Sequence, residues 1–337
     1  MRVFRIYCLI FALLFLVSCA PTSDSSQIAG LTGTTALSIG GNTTLRYTAV
    51  YGATPDWLNV SSTAAAGNGR FWQTAVRYEN GKNTLFIASI AAEGGYFERH
   101  PYVFQENAVA NAIASIPGEP GALWFVEQRW NSDLHLYEEN VLRRIDAQGG
   151  VTVEADLRDV PFDGTGTYGA VDGDGNYYLY TAGEIFSFDA DAKLRFSLDC
   201  AGFSGFARAS DGSMLVLASD TKGTKLSRID GAGRLETLLP CTFSGIAGGD
   251  GVYDLYGYDR VLYGISLDTG EMTPLCRFAE LDIIANDVIA IQTTGVCEDG
   301  SPKFACYASS GSKILLCTVE KTARAAKKTL TLGVLSV

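Results

Sequence analysis

From about residue 75 to residue 320, apolar residues recur in two alternating styles. A short, continuous apolar run is followed by a run in which apolar and polar residues take turns. Tyr177-Tyr-Leu-Tyr180 precedes Glu184-Ile-Phe-Ser-Phe-Asp189 and then Lys193-Leu-Arg-Phe196. Met214-Leu-Val-Leu217 precedes Lys225-Leu-Ser-Arg-Ile-Asp230 and Arg234-Leu-Glu-Thr-Leu238. Val252-Tyr-Asp-Leu-Tyr256 precedes Val261-Leu-Tyr-Gly-Ile-Ser-Leu-Asp268, and an earlier unit holds Leu123-Trp-Phe-Val126, Val141-Leu-Arg-Arg-Ile-Asp146 and Val151-Thr-Val153. A period of two belongs to strands with one buried face. Asp and Gly cluster between the runs, at Asp172-Gly-Asp-Gly-Asn176, Asp211-Gly-Ser213 and Asp250-Gly251, where tight turns need them.

Units begin near residues 79, 119, 172, 211, 250 and 299. A period near forty residues with several strands per unit predicts an all-β fold of the β-propeller kind, because one such sheet cannot bury its own faces and stacked blades can. The repeats resemble the loose class of exported propellers built from degenerate Asp-Gly-starting units, over roughly residues 70–320 and without a WD or kelch signature. The six unit openings predict six four-stranded blades, or seven if a segment before them adds one. The alternating segment Thr43-Thr-Leu-Arg-Tyr-Thr-Ala-Val50 either adds a blade or completes the last one, tying the ends of the chain together and removing exposed edges.

The first nineteen residues read differently. Arg2 and Arg5 precede an apolar run from Ile6 to Val17, which ends at Leu16-Val17-Ser18-Cys19. This arrangement is similar to the lipobox of bacterial lipoprotein signal peptides, which implies removal of residues 1–18 and lipidation of Cys19. An uncleaved anchor and an ordinary signal peptide are the alternatives. Several acyl chains would hold the protein at the extracytoplasmic face of a membrane. Residues 19–40, rich in Ser, Thr and Gly, read as a tether, and residues 41–320 as the propeller.

Without Arg2 and Arg5 the chain has 24 basic against 37 acidic residues, a net charge of −13. That balance argues against nucleic-acid binding, which rests on neutralising phosphates. Of eight cysteines, Cys8 leaves with the signal and Cys19 is the lipid acceptor. Cys200, Cys241, Cys276 and Cys317 recur at 41, 35 and 41 residues, as equivalent positions in successive repeats would, and read as buried small apolar residues. Cys297 and Cys306 flank the turn Glu298-Asp-Gly-Ser-Pro302 and are a candidate hairpin disulfide. No Cys/His cluster is spaced for zinc, so neither metal nor cofactor is expected.

At the other end, Lys321 to Lys328 composes like a basic linker and is followed by Thr329-Leu-Thr-Leu-Gly-Val-Leu-Ser-Val337. This run resembles the opening strand of an ABC-importer extracellular solute-binding domain, which often begins Lys-Lys-x-Leu-x-Leu-Gly. Residues 329–337 are therefore either the last propeller strand or the first strand of a missing solute-binding domain. The resemblance implies an ABC permease as partner.

Asp172-Gly-Asp-Gly-Asn176 begins like an EF-hand loop but lacks the glycine and the glutamate at the later positions, and reads as a turn. No nucleophile elbow is present, and the two histidines, His100 and His135, sit in aromatic and charged surroundings. No catalytic residue is nominated and no enzyme is expected. The polar-aromatic stretch from Trp124 to His135, with Arg99 and His100 one unit earlier, offers the best ligand contacts: Arg99, His100, Arg129, Trp130, Asn131 and His135. Rings and fixed polar groups of this kind suit a sugar or a peptide. The expected function is a non-catalytic, lipid-anchored binding module of a nutrient-uptake lipoprotein. The alternatives are a scaffold that contacts an envelope protein, or a glycan hydrolase or lyase.

Overall fold

The computed structural model describes residues 35–38, 43–51, 63–67, 70–79, 82–91, 97–134, 136–162, 166–249, 251–277, 288–296, 302–310 and 313–321. All of its regular elements are strands. The first two are β1 (Thr35–Ser38) and β2 (Thr43–Tyr51). Blades of four antiparallel strands follow. The first has β3 (Thr63–Gly67), β4 (Arg70–Glu79), β5 (Lys82–Ala91) and β6 (Phe97–Arg99). The second has β7 (Ala108–Ser115), β8 (Leu123–Asn131), β9 (Leu136–Ile145) and β10 (Val151–Asp156). The third has β11 (Tyr168–Val171), β12 (Tyr177–Thr181), β13 (Glu184–Phe188) and β14 (Leu194–Asp199). The fourth has β15 (Phe203–Arg208), β16 (Met214–Asp220), β17 (Gly223–Ile229) and β18 (Leu235–Cys241). The fifth has β19 (Gly245–Gly248), β20 (Leu255–Tyr258), β21 (Val261–Ser266) and β22 (Glu271–Arg277).

The remaining strands, β23 (Val288–Val296), β24 (Pro302–Ser310) and β25 (Lys313–Lys321), join β2 and β1 in a five-stranded sheet ordered β1-β2-β25-β24-β23. Residues 43–51 thus complete the last sheet, with Thr43 opposite Lys321 and Tyr51 opposite Lys313. The expected six or seven four-stranded blades are corrected to five: the sheet that closes the ring has a fifth strand, taken from the beginning of the chain. Among the described residues, the first strand is β1, which lies within residues 19–40. The inner strands touch in sequence, β3 to β7, β11, β15, β19 and β23, and β23 returns to β3.

Blade faces meet through the alternating apolar positions. On β8, Leu123 and Phe125 pack with Ile87, Tyr102, Ile113 and Ile145 toward the first blade. Trp124 and Val126, on the opposite face, pack with Tyr177, Leu179 and Phe188 of the third. Trp124 and Tyr177 are fully buried, and their rings stack at 5.6 Å and 26°. Truncating such a ring to alanine typically costs about 3–5 kcal/mol. Close approach at the axis demands small residues. A Cβ on Gly169 would lie 2.1 Å from the Ala112 carbonyl oxygen, which also accepts a 2.7 Å hydrogen bond from the Tyr177 hydroxyl. Only glycine lets β11 come so near β7 there.

Candidate functional site

Up-and-down strand order sorts the turns to two ends of the propeller. The turns from first to second strand and from third to fourth strand share one end, and several of them are built by an aspartate. The Asp172 carboxylate accepts from the backbone N–H of Asp174 (3.0 Å) and of Asn176 (2.9 Å), from the Asn176 side-chain amide (2.8 Å) and from the Tyr178 hydroxyl (3.1 Å). Asp146, Asp189 and Asp230 each cap two backbone N–H groups in the same way. This is the Asx turn that the Asp-Gly signatures foretell. Asp172 spends all of its acceptor capacity on its own turn and strand.

Two of these turns touch. The Gly173 N–H donates to the Gly212 carbonyl at 2.7 Å, and a Cβ on Gly173 would meet the Gly212 Cα at 2.7 Å. Beside this contact, between the third and fourth blades, lies a crevice of about 340 Å³. Asp172, Asp174, Arg195, Asp211, Ser213 and Asp230 contribute polar groups to its wall. Tyr178, Met214 and Ile229 also line it, and they belong to the apolar cluster that joins the two blades.

Charge is arranged locally around the crevice. The Asp211 carboxyl lies below its ordinary range because the Ser213 hydroxyl donates to it at 2.6 Å, with the Ser213 N–H and the Arg228 guanidinium (3.1 Å) adding to the effect. The Tyr178 hydroxyl is pushed up by burial and by the Asp172 carboxylate beside it. The Arg195 guanidinium donates to the Ser187 hydroxyl at 3.1 Å and lies over the Phe196 ring at 5.4 Å. The crevice thus presents carboxylate acceptors with one guanidinium donor, a lining suited to hydroxyl or amine hydrogens. Among the described residues, no group of three His, Cys, Asp or Glu is placed to hold a metal ion.

The residues nominated from sequence lie elsewhere, and those placed fall in two groups. His100 is buried at the first-to-second blade junction. Its Nε2–H donates to the Gly121 carbonyl at 2.9 Å and its Nδ1 accepts from the Tyr102 N–H at 3.2 Å, which defines a neutral ring. Burial lowers its pKa, with the Gly121 bond opposing. Arg99 lies over the Phe86 ring at 5.0 Å. Arg129, Trp130 and Asn131 occupy the far end of β8, whose first residue, Leu123, is two past Gly121. From Leu123 to Trp130 the strand runs about 23 Å at its usual rise of ~3.3 Å per residue. Arg129 pairs with Glu139 at 2.8 Å, Trp130 meets the Tyr137 ring edge-on at 5.1 Å, and Asn131 caps the hairpin by accepting from Asp133 and Leu134 N–H. His135 and Cys19 lie outside the described residues, as do Cys297 and residues 322–337. Arg195, Asp211 and Asp230 were missed as a group. The available signal was the recurrence of Asp-Gly at residues 172 and 211, one repeat apart, which places two polar turns side by side.

No family model matches the chain, and no curated protein matches it. Solved structures do. It is similar to a streptogramin B lyase structure at 14% identity and a TM-score of 0.47, covering 82% of this chain and 98% of that one. It is similar to XC5397 of Xanthomonas campestris, described as a gluconolactonase, at 12% identity and 0.48, covering 89% and 99%. The β-propeller domain of the Trilobed protease of Pyrococcus furiosus is similar at 14% and 0.45, covering 74% and 77%. At these identities the likeness concerns the fold alone, and the class is that of the β-propellers. The expectation that the chain is not an enzyme is corrected: its structural neighbours include a streptogramin B lyase and a protein described as a gluconolactonase.

Proposed function

We propose that this protein is an exported, lipid-anchored β-propeller that binds a small sugar in the crevice between its third and fourth blades. One observation carries the reading: a cavity of about 340 Å³ at a junction of two blades, where the Asp174 carboxylate and the guanidinium of Arg195 stand beside the turn-capping Asp172, Asp211 and Asp230. Sugar hydroxyls donate to carboxylates and accept from guanidinium, and charge-assisted bonds of this kind are the strong ones. The lipobox-like Leu16-Val17-Ser18-Cys19 supports an anchor at Cys19 on the extracytoplasmic face. The Lys-Lys-x-Leu-x-Leu-Gly run from Lys327 supports a place in nutrient uptake, with a permease as partner.

Titration calorimetry of the purified protein against neutral, amino and acidic monosaccharides and disaccharides tests the binding. Arg195→Ala and Asp174→Asn should each weaken the best ligand about tenfold, the ~1.5 kcal/mol expected of a hydrogen bond to a charged group. A panel without a binder, or binding untouched by both substitutions, would overturn the assignment. Product analysis of the same mixtures shows whether the bound sugar is also turned over.

A further inference from the structure

The sheet that closes the ring places two cysteines at directly opposed register positions. In the β24–β25 ladder, Cys306 is the direct antiparallel partner of Cys317, between the pairs Ala305↔Thr318 and Tyr307↔Leu316. Directly opposed residues in an antiparallel pair have Cα atoms roughly 4.5 or 5.5 Å apart and share one face of the sheet. Both separations fall within the roughly 4.4–6.8 Å that a disulfide spans. On its other side Cys306 stands opposite Ile291 of β23, so the pairing expected with Cys297 is not the one this register favours. Cys241 lies in β18, Cys276 lies opposite Leu262 in the fifth blade, and Cys200 and Cys241 are free thiols.

We propose that Cys306 and Cys317 form a structural disulfide across the closing sheet. The inference rests on the export reading above, because such bonds persist in oxidising compartments. In forming it, the two thiols lose two protons and two electrons and gain one S–S bond. The electrons pass by exchange to the disulfide of a thiol–disulfide oxidoreductase, which is reduced to its dithiol. The bond sits where register matters most. β25 is paired on one side with β24 and on the other with β2. A one-residue slip between β24 and β25 would reverse the faces of the strand that receives the beginning of the chain. The cross-link fixes that strand, so that ring opening is confined to the β2–β25 seam.

The full chain is expressed with its leader, the cells are fractionated in acid to stop thiol exchange, and the protein is alkylated in denaturant, digested without reductant and analysed by mass spectrometry. The expected result is a linked peptide pair containing Cys306 and Cys317, two hydrogens lighter than its separate thiols, with Cys200 and Cys241 alkylated. Cys306→Ser should make Cys317 newly alkylatable, and Cys317→Ser should do the same for Cys306. Envelope-located protein in which both are alkylated, together with an unalkylated purified sample that stays unlinked when incubated with oxidised glutathione, overturns the disulfide. Protein found only in the cytoplasm overturns the export reading instead. The glutathione incubation then decides the pairing by itself: a 306–317 link upholds the geometry, and its failure overturns it.

Discussion

Two blade junctions solve the same packing problem in opposite ways. Between the first and second blades, polar groups are drawn inside and satisfied by one another. The Glu127 carboxylate accepts from the Tyr102 hydroxyl at 2.6 Å and from Arg143 Nε at 2.8 Å, and Arg143 also reaches Glu154. Glu127 and Arg143 are both buried. Burial works against the Arg143 charge, yet Glu127, Tyr102 and Glu154 together raise its pKa, while burial first and Glu127 second push the Tyr102 hydroxyl far up. Between the third and fourth blades the Asp-built turns leave a gap, and carboxylates border a cavity. The first junction spends its buried polar groups on one another; the other joins its blades through an apolar cluster and spends Asp172, Asp211 and Asp230 on the turns beside the cavity.

The sharpest way to break this contrast is Arg143→Met. It strands a buried carboxylate and should cost about 3–5 kcal/mol of stability. Denaturant unfolding followed by fluorescence measures it, and a loss below about 1 kcal/mol would mean that water already reaches Glu127. Asp172→Ala comes next. It removes the acceptor of four hydrogen bonds from a residue only 6% exposed, and should cost about 1–3 kcal/mol in the same assay. Asp172→Asn, which keeps one oxygen for the turn, should cost less. If the alanine variant were as stable as the parent, the turn at 172–176 would be held by its backbone alone.

The smallest effect is one of pH. His100 has a folded-state pKa below its ordinary value of 6.5, chiefly through burial. In acid, the unfolded chain therefore takes up a proton that the folded ring refuses. The stability linked to His100 is complete above 6.5 and declines as pH falls below that value toward the folded pKa, by at most ~1.4 kcal/mol per pH unit for one proton. Unfolding midpoints between about pH 7.5 and 5 should show a slope that His100→Gln flattens. An identical slope in the variant would assign the acid sensitivity to other groups.

Much of this fold was legible in the chain because strands and tight turns have local causes. Alternation placed β12, β13, β14, β16, β17 and β18 closely, and the Asp-Gly pairs at 172 and 211 marked turns that an aspartate caps. The unit visible in sequence is offset from the blade by one strand, however. A repeat that opens at Asp172 runs through β12, β13 and β14 and ends on β15, which is the inner strand of the next blade. Counting units from their Asp-Gly openings therefore counts turns, while the strand that completes the last sheet comes from residues 43–51.

The candidate contacts show the same limit. Arg99, His100 and the Arg129–Asn131 tip are neighbours in a list of polar and aromatic residues, yet His100 hydrogen-bonds to Gly121, just before β8, while Arg129, Trp130 and Asn131 occupy its far end. The local pattern determined the strands, the turns and the propeller class, since each depends on a few consecutive residues. Tertiary structure alone decided which turns meet across a blade junction, which carboxylates are spent on Arg143 and which border a cavity, and which cysteine stands opposite Cys306. Those outcomes depend on sheet stacking and strand register, and both are set by contacts between residues far apart in the chain.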